Sequence, residues 1–148
     1  MTHRNVWIFA AASAAAVALG GCSSMSHLGG MGSSPCRHDA TVTLYFETGS
    51  DAVTDIGNQI VAATAQRLHT CTVSELRLLG LADATGSPQT NLDLSKRRAD
   101  NVLAAFVKAG LPVPKYTLVA AGDKGAVNAQ GAAEPVRRRV NVVVELQH

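Results

Sequence analysis

The sequence predicts an α+β domain in which two helices cover one face of a mixed four-stranded sheet, in the order β-α-β-α-β-β. Three observations predict it. Apolar side chains recur at every second position at 42–46 and again at 140–146, the period of a half-buried strand. Two stretches between them, near 54–68 and 88–109, carry apolar residues at helical spacing. Glycine and proline punctuate the joins, and an alternation of strand and helix patterns implies helices layered on a sheet.

In the first strand Val42, Leu44 and Phe46 alternate with Thr41, Thr43 and Tyr45, and Gly49-Ser50 ends the pattern. Thr54 is placed to cap a helix in which Ile56, Ile60, Ala63 and Leu68 form the buried stripe, with the methyl of Thr64 at its margin. Leu76, Leu78 and Gly80 form the second strand. Ser87 can then cap a second helix through its hydroxyl, and Pro88 suits the first helical position, whose N–H has no partner anyway. That helix runs from about Pro88 to Ala109, with Val102, Leu103 and Phe106 as core contacts. Gly110 stops it and Pro112 lies just beyond. Tyr116, Leu118 and Ala120 read as a third strand, and Val140, Val142, Val144 and Leu146 as a fourth. Gly122 to Val136 is small, polar and unpatterned, and is expected to be a surface loop.

The turn between the second strand and the second helix gathers chemistry. Asn91 and Arg98 are seven residues apart, so on a helix they return to nearly the same azimuth, roughly 20° apart. The preceding loop brings the Asp83 carboxylate to the amino end of that helix. One acid, one guanidinium and one amide at a strand-to-helix turn suit a small zwitterion. The plainer alternative is a surface ion pair between Asp83 and Arg98 that fixes the loop, worth only about 0–1 kcal/mol.

The run from Gly80 to Val102 resembles the OmpA-like C-terminal domain, a peptidoglycan-binding family that includes peptidoglycan-associated lipoproteins and flagellar stator anchors. That family reads approximately G-H-T-D-x-x-G-x-x-x-x-N-x-x-L-S-x-x-R-A-x-x-V. The chain matches at Gly80, Asp83, Gly86, Asn91, Leu94, Ser95, Arg98, Ala99 and Val102, and carries Leu81 and Ala82 where the family usually has His and Thr. The likeness extends to Leu44–Ser50 and Arg138–Val142, covering about residues 40–146. It implies binding of the diaminopimelate in the peptidoglycan stem peptide. Asp83 would take the ammonium and Arg98 the carboxylate, which a planar guanidinium can grip through both oxygens. Asn91 and Thr85 would complete the pocket, together with the unpartnered N–H groups that open the second helix. Loss of the His and Thr side chains at 81 and 82 removes hydrogen bonds but leaves the two charges. Arg137, Arg138 and Arg139 face either wall carboxylates or solvent at a strand edge, and the family's Arg-Arg-Val pattern favours a structural role for Arg139.

Residues 1–21 read as a leader: Arg4 supplies the positive region, Val6 to Leu19 an apolar stretch shorter than the roughly 20 residues a spanning helix needs. Leu19-Gly20-Gly21-Cys22 looks like a lipobox, at which the peptide is cut and Cys22 acylated, palmitate included. Ser23 in place of Asp favours the outer membrane, by analogy with bacterial lipoprotein sorting. Residues 22–35 are Gly, Ser and Met without periodicity and read as a tether of about 20 Å mean reach, with the domain at 36–148 in the periplasm. There Cys36 and Cys71 are expected to form a disulfide. The alternative, a zinc site of Cys36, His38, His69 and Cys71, has one-residue spacings unusual for that metal.

Without Arg4 the chain has twelve basic and eleven acidic residues, a net charge of +1, which gives no case for nucleic acid. No nucleophile elbow, no patterned Cys–His pair and no acid pair supports an enzyme, and no cofactor or metal is expected. The reading is an outer-membrane lipoprotein that binds peptidoglycan non-covalently and ties membrane to wall. The second reading is an OmpA-like periplasmic module that docks an envelope protein complex instead.

Overall fold

The computed structural model describes residues 35–132 and 134–148. The expected leader at 1–21, Cys22 and all but the last residue of the tether lie outside the described residues. Within them the order is β1 (Ala40–Tyr45), α1 (Asp55–Leu68), β2 (Val73–Gly80), α2 (Pro88–Lys108), β3 (Tyr116–Ala120), a 3-10 turn (Pro135–Arg137) and β4 (Arg139–Leu146). The sheet order is β1-β4-β2-β3. β4 lies antiparallel to both β1 and β2, whereas β2 and β3 are parallel. The sheet is therefore mixed, and α2 supplies the long crossover that a parallel pair requires. Among the described residues no helix is long and apolar enough to cross a membrane.

β4 occupies the centre, and its alternation is the backbone of the core. Val140, Val142, Val144 and Leu146 are buried against Leu76 and Leu78 of β2, Leu44 of β1, and Ala99, Val102 and Phe106 of α2. Both helices start as the sequence predicts. The Thr54 hydroxyl accepts from Gly57 N at 3.0 Å, and the Ser87 hydroxyl from Thr90 N at 3.2 Å, with Pro88 at the first position.

The buried stripe of α1 differs from expectation. It is Gly57, Val61, Thr64, Ala65 and Leu68, while Ile56 is 70% exposed and Ala63 also faces solvent. The cause is Gly57, where an added Cβ would lie 2.9 Å from Val53 Cγ1 and 3.8 Å from Leu44 Cδ2. Having no side chain, it lets the first turn settle on β1, and the rest of the stripe follows from it at helical spacing. Thr64 tolerates burial because its hydroxyl donates to the Ile60 carbonyl at 2.8 Å.

The stretch from Gly122 to Val136 is also more ordered than its composition suggests. Ala126 is fully buried, its N–H donates to Asp123 O, and its carbonyl accepts from Glu134 N. Asn128 closes the tip by accepting from Gln130 N and Ala132 N through its side chain.

Two features brace the frame. A Cys36–Cys71 disulfide with Cα atoms 5.4 Å apart joins the segment before β1 to the segment before β2. The sulfurs are bonded to each other, so they do not ligate zinc with His38 and His69. At the opposite end of β2, Gly80 lies directly against α2: an added Cβ would overlap the Ser95 carbonyl oxygen. The Ser95 hydroxyl donates to Leu92 O and accepts from Gly122 N, so β2, α2 and the loop after β3 meet at one point.

Replacing Gly80 with Ala should cost about 3 kcal/mol in urea unfolding, because backbone cannot move aside as a side chain can. Wild-type stability of that variant would show that β2 and α2 do not need this close approach. Removing the bridge as Cys36→Ala with Cys71→Ala opens a loop with a sequence separation of 35. By chain entropy it should lower stability by about 3–4 kcal/mol, measured in the same way.

Candidate ligand-binding site

The loop from Leu81 to Ser87 carries the site, and its entrance is fixed by backbone pairing. Leu81 N donates to Arg139 O at 2.9 Å, and Ala82 N to Gly122 O at 2.8 Å. Leu81 and Ala82 are themselves buried, which suits apolar side chains. Gly86 takes φ 103°, a region costly for other residues, and so turns the chain into the helix cap at Ser87.

Asp83 stands where the loop leaves the sheet. Its Oδ1 accepts from Thr85 N at 3.1 Å, a local turn that holds the carboxylate, while Thr85 itself is exposed. Its Oδ2 accepts from Arg138 Nη1 at 3.2 Å, and the two side chains remain 11% and 27% exposed respectively. Burial pushes the Asp83 carboxyl up, but hydrogen bonds from Arg138 and Thr85 outweigh it and leave the group below the ordinary carboxylate value. The carboxylate is therefore ionised throughout the neutral range.

Arg98 lies deeper. It is fully buried, and all three of its nitrogens donate to backbone carbonyls: Nε to Ser50 at 2.8 Å, Nη1 to Leu81 at 3.1 Å, and Nη2 to Glu47 at 3.0 Å. The Phe46 ring covers the guanidinium, with its centre 5.1 Å from Cζ. Burial lowers the Arg98 pKa, and the Asp83 charge opposes that shift. Asn91 is buried too, and its Nδ2 donates to Asp123 Oδ2 at 3.1 Å.

The side chains singled out in the sequence thus fall into two layers. Asp83 and Thr85 meet in the loop. Asn91 and Arg98 lie on the inward stripe of α2 with Leu94, Ser95, Ala99 and Val102, and tie the neighbouring loops to that helix. The cation paired with Asp83 is Arg138, which the sequence offers only as one of three consecutive arginines. The register explains it: Gly80 faces Val140 across the β2–β4 ladder, so residue 138 lies beside the start of the site loop. Arg139 donates to Val136 O at 2.9 Å within the local turn, and Arg137 to Lys124 O at the start of the loop after β3. Asp123 was equally unmarked in the sequence. Among the described residues no group of three or more His, Cys, Asp or Glu side chains could hold a metal ion.

The chain is similar to several known proteins. It is 37% identical to outer membrane porin F of Pseudomonas fluorescens over 76 residues, which is 50% of this chain and 23% of that protein, so the chain spans under a quarter of that relative's length. The peptidoglycan-associated lipoprotein from Burkholderia pseudomallei superposes with a TM-score of 0.55 at 24% identity, covering 71% of this chain and 89% of that one. The cell wall anchor of the T6SS from Pseudomonas aeruginosa superposes with a TM-score of 0.55 at 22% identity, over 74% and 82% of the two chains. These two likenesses establish a shared fold. The family match runs over residues 45–141, from the end of β1 into β4 and across the whole site loop, and the chain belongs to the OmpA family.

Proposed function

We propose that this protein is an outer-membrane lipoprotein whose domain binds peptidoglycan non-covalently through the diaminopimelate of the stem peptide, and so links membrane to wall. The observation that carries this reading is the Asp83 carboxylate, held ionised at the rim of the loop with the buried Arg98 charge behind it. The free end of diaminopimelate bears an ammonium and a carboxylate on one carbon. Its ammonium pairs with Asp83. Its carboxylate is drawn by the positive potential of Arg98, which weak internal screening strengthens, and by the N–H groups at the start of α2. Thr85 and Asn91 supply neutral hydrogen-bonding groups, and no bond is made or broken in the ligand. Two structural relatives, a peptidoglycan-associated lipoprotein and a cell wall anchor, support this reading. Lipid attachment at Cys22 would place the domain in the periplasm beneath the outer membrane.

Asp83→Asn should reduce binding to purified sacculi at least about tenfold, since a desolvated charge pair costs about 2–5 kcal/mol to break, while the melting temperature hardly moves. Because the folded carboxyl lies below its ordinary value, wild-type binding should hold from neutral pH down to about pH 4 and fall only below it. Undiminished binding by Asp83→Asn would remove the site from consideration. Wild type that ignores sacculi altogether would leave a module docking an envelope protein. Arg98→Ala is the poorer probe, because it strands three carbonyls and destabilises the fold itself.

The anchor is tested separately. Cys22→Ser should move the protein out of the outer-membrane fraction, and unchanged fractionation would exclude acylation at that residue.

A further inference from the structure

The sheet ends on two edge strands, β1 and β3. We infer that the β3 edge pairs antiparallel with β3 of a second copy of this chain, centred on Leu118, so that two sheets join into one. This goes beyond the peptidoglycan reading and does not depend on it.

Backbone direction decides which groups are available. Lys115 O accepts from Leu76 N at 3.0 Å, and Ala121 N donates to Gly80 O at 2.9 Å. Successive strand residues turn their backbone groups to opposite edges, so residues 115, 117, 119 and 121 bond to β2. Tyr116, Leu118 and Ala120 therefore point their N–H and C=O groups away from the sheet. Among the described residues no backbone hydrogen bond from another element reaches them.

The available stretch is symmetric about Leu118. Two residues before Tyr116, Pro114 has no N–H to give. Two residues after Ala120, Gly122 has both groups in use: it donates to Ser95 Oγ at 3.0 Å and its carbonyl accepts from Ala82 N at 2.8 Å. The ladder is thus bounded at equal distances on either side of Leu118. A two-fold axis there sets Leu118 against Leu118 of the second copy, and Tyr116 against its Ala120. Every available donor then meets an acceptor, and both limits coincide. A second copy meets these limits by symmetry.

The side chains agree. Large Tyr116 faces small Ala120, and Thr117 faces Val119. Tyr116 and Val119 are 57% and 49% exposed in the single chain, and no charged residue lies between 116 and 120 to discourage pairing. Lys115 at the start of one strand approaches the end of the other, which leads to Asp123. The β1 edge is the contrast. It runs between Asp39 and Glu47, so an antiparallel copy centred on it would set acid beside acid.

The test is cross-linking of the full chain in bacterial cells, oxidised with copper phenanthroline and read on non-reducing gels. Thr117→Cys with Val119→Cys in one chain should give mostly covalent dimer. Those positions face each other in a non-hydrogen-bonded pair, with Cα atoms about 4.5 Å apart. The matching pair on the other edge, Thr41→Cys with Thr43→Cys, should stay monomeric. Adding Ala120→Pro removes a donor from each strand and should cut the β3 dimer at least about fivefold. Amide exchange of wild type covers the case in which the proline variant does not fold. Tyr116, Leu118 and Ala120 should exchange at least about tenfold more slowly at high protein concentration than at low. Absence of dimer, equal dimer from both edges, or undiminished dimer in folded Ala120→Pro would overturn the inference. Exchange that ignores protein concentration would overturn it too. A cross-link to a different protein in place of the dimer would give the edge to another strand, and self-pairing would be wrong.

Discussion

A guanidinium buried away from water is costly unless nearly every polar edge is satisfied, and the arrangement around Arg98 is what that constraint requires. The residue draws in the carbonyls of Glu47 and Ser50 from the turn after β1 and that of Leu81 from the site loop. Two segments far apart in the chain therefore converge on one side chain of α2. Phe46 covers a face that has no hydrogen-bonding need, and Asp83 lends its charge from nearby. The loop cannot shift without unpairing one of these bonds, so its outer residues are presented in a fixed geometry.

The result is a division of labour by depth. Inner polar groups, Arg98, Asn91 and Ser95, hold elements together: Asn91 reaches Asp123, and Ser95 receives Gly122 N. Outer groups, Asp83, Thr85 and Arg138, keep part of their surface open to solvent. Leu81 and Ala82 belong to the inner set. Their apolar character is explained by burial.

Much of this was legible in the sequence, and what was hidden has physical reasons. Period-two alternation marked β1 and β4, because each has one face in the core. Thr54, Ser87 and Pro88 marked the helix starts, because a free N–H at a helix end needs a defined partner. The stripe of α1 was displaced because Gly57 packs through the absence of a side chain, which no hydrophobic pattern records. Asn91 and Arg98 were placed on one face by spacing, but spacing gives azimuth and not depth. Charged residues are usually outside, and nothing local indicates that carbonyls 17, 48 and 51 positions earlier will surround this one. Arg138 required strand register, which forms only when β4 pairs with β2. The buried Ala126 turn is built from small residues and backbone bonds, and so looked like plain loop.

The strand ladder gives the domain a mechanical axis. Residue 36 lies before the start of β1, whereas the site loop adjoins the far end of β4, where Tyr45 faces Arg139 and Gly80 faces Val140. The length of β1 separates them, about 20 Å at the usual rise per residue. A pull between the segment before β1 and the site loop therefore runs along the strands. Without a covalent bypass, antiparallel hydrogen bonds, which lie across that direction, would be sheared together and not peeled off one at a time. The Cys36–Cys71 bond joins the same segment covalently to the start of β2, so that the load passes along β2 into the site loop and spares the ladder.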